Sequence, residues 1–156
     1  MRRYLLFAVL LAACAREKPL KVLGAVPEFQ LVNQQGQRFE RAALDGHVWV
    51  ADFIYTTCQG PCPRMSSHMR ALQKATDASV KLVSFTVDPD NDTPGVLAAY
   101  ARRFSADESR WSFLTGDKAT LNSLDYDAFK LGSIGAAMDH STRFVLIDKK
   151  LSLIHI

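Results

Sequence analysis

The sequence has no apolar run of the roughly 18–20 residues that a membrane-spanning helix needs. Its formal net charge of +3 is too small to mark a nucleic-acid binder by charge alone, and no basic patch stands out. It carries no glycine-rich nucleotide loop, no CxxCH haem attachment and no serine-nucleophile elbow. There is no internal repeat and no low-complexity tract, and proline is absent after Pro94. Cysteine is scarce and odd in number: three in 156 residues cannot all pair within one chain, so at least one has another job. What is present argues for a folded domain. Charged residues at 22% and aromatics at 10% exclude a disordered or fibrous chain, and the length fits one domain with a real core.

The first residues read as a targeting segment. Met1-Arg2-Arg3 is basic, and Tyr4 to Ala13 is an unbroken apolar stretch of ten, which is signal-peptide length. It ends in Leu11-Ala12-Ala13-Cys14, which resembles the bacterial lipoprotein signal, whose cysteine is lipidated and becomes the new N-terminus. The alternative is an ordinary secretory signal in which Cys14 is incidental. The expected organisation is a signal peptide at 1–13, a lipid-anchored tether at 14–26 and the folded domain at 27–156. This places the protein in the bacterial cell envelope, on the periplasmic face of a membrane. Arg2 and Arg3 supply two of the three net positive charges, so the mature chain is close to neutral.

Within the domain, Phe29–Val32 and Gln37–Phe39 flank Asn33-Gln34-Gln35-Gly36, a hairpin pattern. Val48–Tyr55 and Val80–Val87 are rich in β-formers and read as buried strands. Pro63 stands where a helix begins, with Met65, Met69, Leu72 and Thr76 at helical spacing. Thr93-Pro94 starts a second helix, with Leu97, Tyr100, Ala101 and Phe104 on its apolar face. Trp111–Leu114 is an extended piece, and Asp117 opens a third helix facing inward through Leu121, Leu124 and Ala128. Arg143–Asp148 is a further strand. Strands alternating with helices give an α/β layer fold with a partly parallel sheet. A cysteine pair at the first long strand–helix junction makes it a thioredoxin-like fold with an N-terminal hairpin. Only Leu151–Ile156 remain for a return strand, and no residues are left for a closing helix, as in a truncated or non-native ending.

The chemistry centres on Thr56-Thr57-Cys58-Gln59-Gly60-Pro61-Cys62-Pro63. At a helix start, unpaired amide N–H groups favour thiolates, so both cysteines are expected to have lowered pKa values. Two soft thiolates select a soft ion such as Cu(I). A plain structural disulfide is the competing reading, and the spacing does not forbid it. Asp139-His140-Ser141 comes just before the last long strand. In a thioredoxin-like fold that loop faces the cysteine loop and normally holds a cis-proline, which this chain lacks. A neutral imidazole there completes a three-ligand site of Cys58, Cys62 and His140.

With these segments in view, the sequence resembles the Sco/SenC copper-binding proteins of cytochrome c oxidase assembly. The resemblance runs from about Val26 to Asp148. It rests on Pro27-Glu28-Phe29 with Gly36, Asp52–Cys58, Cys62-Pro63, Val87–Pro94, Trp111–Gly116 and Asp139-His140-Ser141. It implies copper held by Cys58, Cys62 and His140, and delivery of copper, or of reducing equivalents, to the binuclear copper centre of oxidase subunit II. The expected function is that of a periplasmic copper metallochaperone, with oxidase subunit II or another copper protein as partner and a membrane reached through the lipid. The alternative is a thiol–disulfide oxidoreductase that uses Cys58 and Cys62 as a redox pair. A peroxiredoxin-like peroxidase is a distant third.

Secondary candidates are weaker. Asp88 is either a neighbour of the site or part of a turn-and-cap cluster with Asp92 and Thr93. Asp139 either orients His140 or is solvated. Met65 and Met69 share the helix's apolar face and read as core rather than ligands. Met138 is a possible auxiliary contact. His47 and His68 read as surface residues, and His155 has no assigned role.

Overall fold

The computed structural model describes residues 21–131 and 141–155. Cys14, Met138, Asp139 and His140 therefore lie outside the described residues.

In chain order the elements are β1 (Gly24–Ala25), β2 (Gln30–Asn33), β3 (Arg38–Glu40), a 3-10 turn (Arg41–Leu44), β4 (Trp49–Ile54), α1 (Pro61–Ala75), β5 (Lys81–Thr86), α2 (Pro94–Arg103), β6 (Trp111–Thr115), α3 (Lys118–Asn122), a π-helical turn (Ser123–Ala128), β7 (Val145–Ile147) and β8 (Ser152–His155). The strands form one sheet in the order β1-β8-β7-β4-β5-β6-β2-β3. β4, β5 and β6 are parallel, joined by the α1 and α2 crossovers, and the outer strands are antiparallel. This is the mixed α/β sheet expected, with the hairpin β2–β3 where the sequence placed it. Asn33 builds its turn, its Oδ1 accepting from the Gln35 and Gln37 amides at 3.0 and 2.9 Å. Gly36 supplies the positive φ of 77° that the turn requires.

Alternation along the strands sorts side chains to two faces. Trp49, Ala51 and Phe53 of β4, with Val83 and Phe85 of β5, face a core that includes Phe29, Leu121 and Phe129. Phe53 stacks on Phe85 at 5.0 Å, and Phe129 meets Phe53 edge-on at 5.4 Å. Val50, Ile54 and Leu82 face the opposite core, with Met69 of α1, Leu97 and Tyr100 of α2, and Trp111 and Phe113 of β6. Cys58 and Cys62 belong to this second core. All six residues of β4 are buried, which explains its largely apolar pattern, Asp52 excepted.

Several elements differ from the sequence expectation in extent. α1 starts at Pro61 rather than Pro63, so Cys62 lies inside its first turn. Two prolines fit there because the first amides of a helix have no intrahelical acceptor to lose. Arg143–Asp148 contracts to Val145–Ile147. The third helix opens as expected on Asp117, whose side chain accepts from the Thr120 amide. It then widens into the π-helical turn, which brings Phe129 to full burial. Ser152–His155 form the return strand, paired with β7 on one side and β1 on the other. β1 lies in the stretch 14–26 read as tether, and its pairing extends the sheet to Gly24.

A candidate dithiol metal centre

Cys58 lies in the loop that leaves the C-terminal end of β4, and Cys62 is the second residue of α1. Between them Gln59, Gly60 and Pro61 are exposed, whereas Cys58 is 7% exposed and Cys62 fully buried. Both are thiols rather than a disulfide.

Their environments differ sharply. Burial pushes the Cys58 thiol up, but the amides of Cys62 and Gly60 and the side chains of Cys62 and Tyr55 donate to its sulfur and outweigh burial. The net effect holds Cys58 below the usual thiol range, as expected at a helix start. Cys62 corrects the expectation that both values fall: burial pushes it up to about 12. The Tyr55 amide lowers it, but the negative charges on Cys58 and Asp52 add to the rise. One helix start cannot lower both sulfurs when one is deep in the core beneath the other. The result is one sulfur biased toward the thiolate, in hydrogen-bond contact with one held as the thiol.

Tyr55, the last residue before the loop, was not singled out by the sequence analysis. Its backbone carbonyl accepts the Cys58 amide at 3.3 Å, and its phenol bonds the Cys58 sulfur. The Cys58 bond raises the Tyr55 pKa first, with smaller contributions from burial and from the charges of Cys58, Cys62 and Asp88.

Asp92 is a second missed residue. It is fully buried and accepts from the Thr56 amide at 3.1 Å, the Thr56 hydroxyl at 2.5 Å and the Thr86 hydroxyl at 2.6 Å. It thus fastens the β5–α2 loop to the start of the cysteine loop. Asp88 belongs to the same turn: its amide donates to the Thr86 hydroxyl, and its carboxylate accepts from Asn91 Nδ2 at 2.8 Å. The Asp92 and Thr93 amides follow in the loop, and Thr93 Oγ1 caps α2 by accepting from Val96.

Asp52 is the third. The pleat points it to the cysteine face, opposite Ser84 in the β4–β5 register. The Ser84 hydroxyl donates to Asp52 Oδ1 at 2.6 Å and accepts from Trp111 Nε1 at 3.0 Å. Asp52 Oδ2 is buried with no hydrogen-bond partner. Burial raises this carboxyl to about 7, partly offset by the Ser84 bond. Tyr100 shares a 3.0 Å hydrogen bond with Ser66, and burial raises its phenol to about 12.

The remaining candidates separate cleanly. Met65 and Met69 are buried in α1, as core packing requires. His68 is exposed with its ring 6.2 Å from Phe144, and His47 Nδ1 lies 3.2 Å from the Ser79 carbonyl at the far end of the sheet. Val145 pairs with Ala51 in the antiparallel β4–β7 register, so Ser141–Phe144 enter β7 at the end where β4 leaves. Among the described residues no three His, Cys, Asp or Glu side chains form a metal cluster. The described residues thus bring Cys58, Cys62, Tyr55 and Asp88 to one end of the sheet.

Known proteins share this fold. The SCO1/SenC family model matches residues 19–156. The SCO1 protein homolog of Bacillus subtilis is 39% identical over 115 residues, covering 71% of this chain and 60% of that protein. The chain thus spans less than two thirds of the length of that curated relative. The structure of a SCO1/SenC family lipoprotein from Bacillus anthracis superposes with a TM-score of 0.77 at 38% identity, covering 86% of this chain and 84% of the other. BsSco, a member of the Sco family of cytochrome c oxidase assembly proteins in which a disulfide switch has been identified, gives 0.74 at 31%, covering 88% and 86%. Copper-bound ScoI of Bradyrhizobium japonicum gives 0.67 at 26%, covering 84% and 87%. A family model spanning nearly the whole chain, on a sheet that superposes on these structures, establishes that the chain belongs to the SCO1/SenC family.

Proposed function

We propose that this protein is a lipid-anchored copper metallochaperone of the bacterial cell envelope. It binds copper through Cys58, Cys62 and His140 and passes it to the binuclear copper centre of cytochrome c oxidase subunit II, or to another copper protein. The observation that carries this reading is the pair of soft sulfurs in hydrogen-bond contact at the head of α1, one already held toward thiolate. His140 directly precedes Ser141, where the chain approaches β7 at the cysteine end. The copper-bound relative and the oxidase-assembly relative support the cargo and the destination. A lipoprotein of the family supports lipidation at Cys14, with 1–13 removed and the segment from residue 14 as tether. Loading requires Cys62 to release its proton, so copper uptake liberates acid.

Titration of the reduced protein against a chromophoric Cu(I) chelator tests the site. One Cu(I) per chain is expected, with Cys58→Ser, Cys62→Ser and His140→Ala all weakened. Parental affinity in Cys58→Ser and His140→Ala sinks the assignment.

A second reading has its own support in the thiol asymmetry. Cys58 thiolate attacks a partner disulfide and releases one partner thiolate. Cys62 then loses its proton and attacks the mixed disulfide, closing the Cys58–Cys62 disulfide and freeing the second partner thiol. Incubating the reduced protein with an oxidised subunit II peptide, in the absence of copper, distinguishes the two. No exchange excludes reduction. Exchange untouched by His140→Ala favours it.

A further inference from the structure

Charge is distributed unevenly over the fold. α1 and α2 hold five of the chain's 19 cations, Arg64, Arg70, Lys74, Arg102 and Arg103, and none of its 16 acids. All five are exposed, and among the described residues none forms an ion pair. Four are arginine, whose planar fork grips carboxylates with two hydrogen bonds. The acids that follow the helices, Asp77 and Asp107, are turned into bonds with Ser79 and Ser109, and the cation acting on both is Arg110.

The two helices make one surface. The Ser66 and Tyr100 hydroxyls meet at 3.0 Å, and Gln73 Nε2 donates to the Ser105 carbonyl at 3.1 Å, so α1 and α2 lie side by side and parallel. About one turn above the Ser66–Tyr100 contact stand Cys62 and Val96. One to two turns below it stand Arg70, Lys74 and Arg103. The upper part is uncharged: exposed Gln59, Gly60 and Pro61 belong to the cysteine loop, and Gly95 and Val96 to the first turn of α2. Val96 is a large apolar side chain left 39% exposed. The Arg103 guanidinium is steadied over the Phe104 ring at 5.7 Å. A neutral patch beside the reactive group, bordered by cations, is the layout of a protein interface that steers its partner by charge.

We propose that the α1–α2 face is the docking surface for an acidic protein, whose carboxylates lie against Arg64, Arg70, Lys74, Arg102 and Arg103 and whose acceptor group meets the dithiol at the head of α1. This rests on the transfer role proposed above, which supplies the partner. A lipid surface on the same face would cover the approach to the cysteines without offering an acceptor.

The test measures thiol–disulfide exchange by the full chain with Cys14→Ser, in which Cys58 and Cys62 are the remaining thiols. The probes are disulfide-linked dimers of a one-cysteine peptide bearing six glutamates, six lysines or six serines. Six extended residues span about 20 Å, close to the length of the 15-residue α1. The Cys58 thiolate attacks the probe, Cys62 releases its proton and closes the Cys58–Cys62 disulfide, and both peptides leave as thiols. At low ionic strength the glutamate probe is expected to react about tenfold or more faster than the lysine probe, although the thiolate itself repels glutamate. At about 1 M salt, where screening acts within about 3 Å, the gap should close. Arg70→Glu, Lys74→Glu and Arg103→Glu together should invert the order and leave the serine-probe rate and the Cu(I) titration at parental values. The same three positions changed to Gln should narrow the gap. Equal parental rates, or a glutamate preference that survives charge reversal, overturn the docking surface. Loss of the serine-probe rate along with the preference assigns the three residues to the dithiol's own chemistry and also overturns it. Fluorescence anisotropy of dye-labelled, cysteine-free glutamate and lysine peptides reads the face without thiol chemistry: equal binding there overturns the proposal, whereas a glutamate preference without exchange upholds it and counts against disulfide reduction alone. Sedimentation with anionic phospholipid vesicles that depends on the same cations, with no glutamate preference in either assay, hands the face to lipid and overturns the protein partner.

Discussion

Replacing Asp52 by Asn isolates the cost of a charge beneath the dithiol. In the unfolded chain this carboxyl loses its proton near 3.8, and in the folded protein it keeps it to about 7. Between those values the folded state binds the extra proton, so stability falls as pH rises through that window. The span is about three pKa units, and each is worth about 1.4 kcal/mol, so about 4 kcal/mol disappears between pH 4 and pH 7. Asp52 is fully buried, so solvent screening does not reduce the figure. Asn keeps an oxygen for the Ser84 hydroxyl but cannot ionise. The amide it places at the partnerless Oδ2 position costs the same at every pH. Urea unfolding of reduced parent and Asp52→Asn at several pH values across that range should therefore show the variant gaining on the parent by about 4 kcal/mol from bottom to top. A difference that stays flat within about 1 kcal/mol means that the carboxyl titrates normally in the fold, and the argument fails. Because the Asp52 charge also raises Cys62, the same variant should lower the pKa of that thiol.

At neutral pH, limiting iodoacetamide should modify Cys58 over Cys62 by about a hundredfold or more, read by peptide mass spectrometry; comparable rates contradict the asymmetry. Tyr55→Phe removes a donor from the Cys58 sulfur, which should raise the pKa of that thiol and slow its alkylation several-fold. An unchanged pH–rate profile shows that the phenol does not act on the sulfur. Asp92→Ala strips the acceptor from Thr56 and Thr86 and should cost about 3 kcal/mol in denaturant unfolding, whereas a loss below about 1 kcal/mol means that the loop holds without it.

Much of this architecture was legible because its signals are local. β4 and β5 announce themselves by runs rich in β-formers, Thr93-Pro94 by capping chemistry and Asn33–Gly36 by turn chemistry. The cysteine pair was placed at the right junction. The unequal environments of Cys58 and Cys62 were not legible, because they depend on which sulfur the second core covers, and that core gathers residues from Val50 to Phe113. Asp52 had a visible signal, a lone acid inside an apolar strand, but its meaning rests on Ser84 and Trp111, 32 and 27 residues apart along the chain in their successive bonds. Asp92 read as a turn residue, and only the tertiary fold aims its carboxylate back at Thr56. The helical period predicted Leu121, Leu124 and Ala128 as the inner face, and all three meet the core, Ala128 only half-buried; it missed Phe129, which the π-helical turn brings to full burial.

The pairing of β1 with β8 sets the order in which the domain can be completed. β1 pairs with β8 across a long stretch of sequence, Gly24 opposite Leu153, so this ladder closes a very long loop and is a slow contact to make. β4, α1 and β5 are contiguous in the chain and can associate before it. Until β7 docks beside β4, Cys62 lacks part of the core that later shields it. The folding chain therefore passes through a stage in which its thiols are open to oxidants, and the burial that makes Cys62 so reluctant to ionise arrives only with the distant strands.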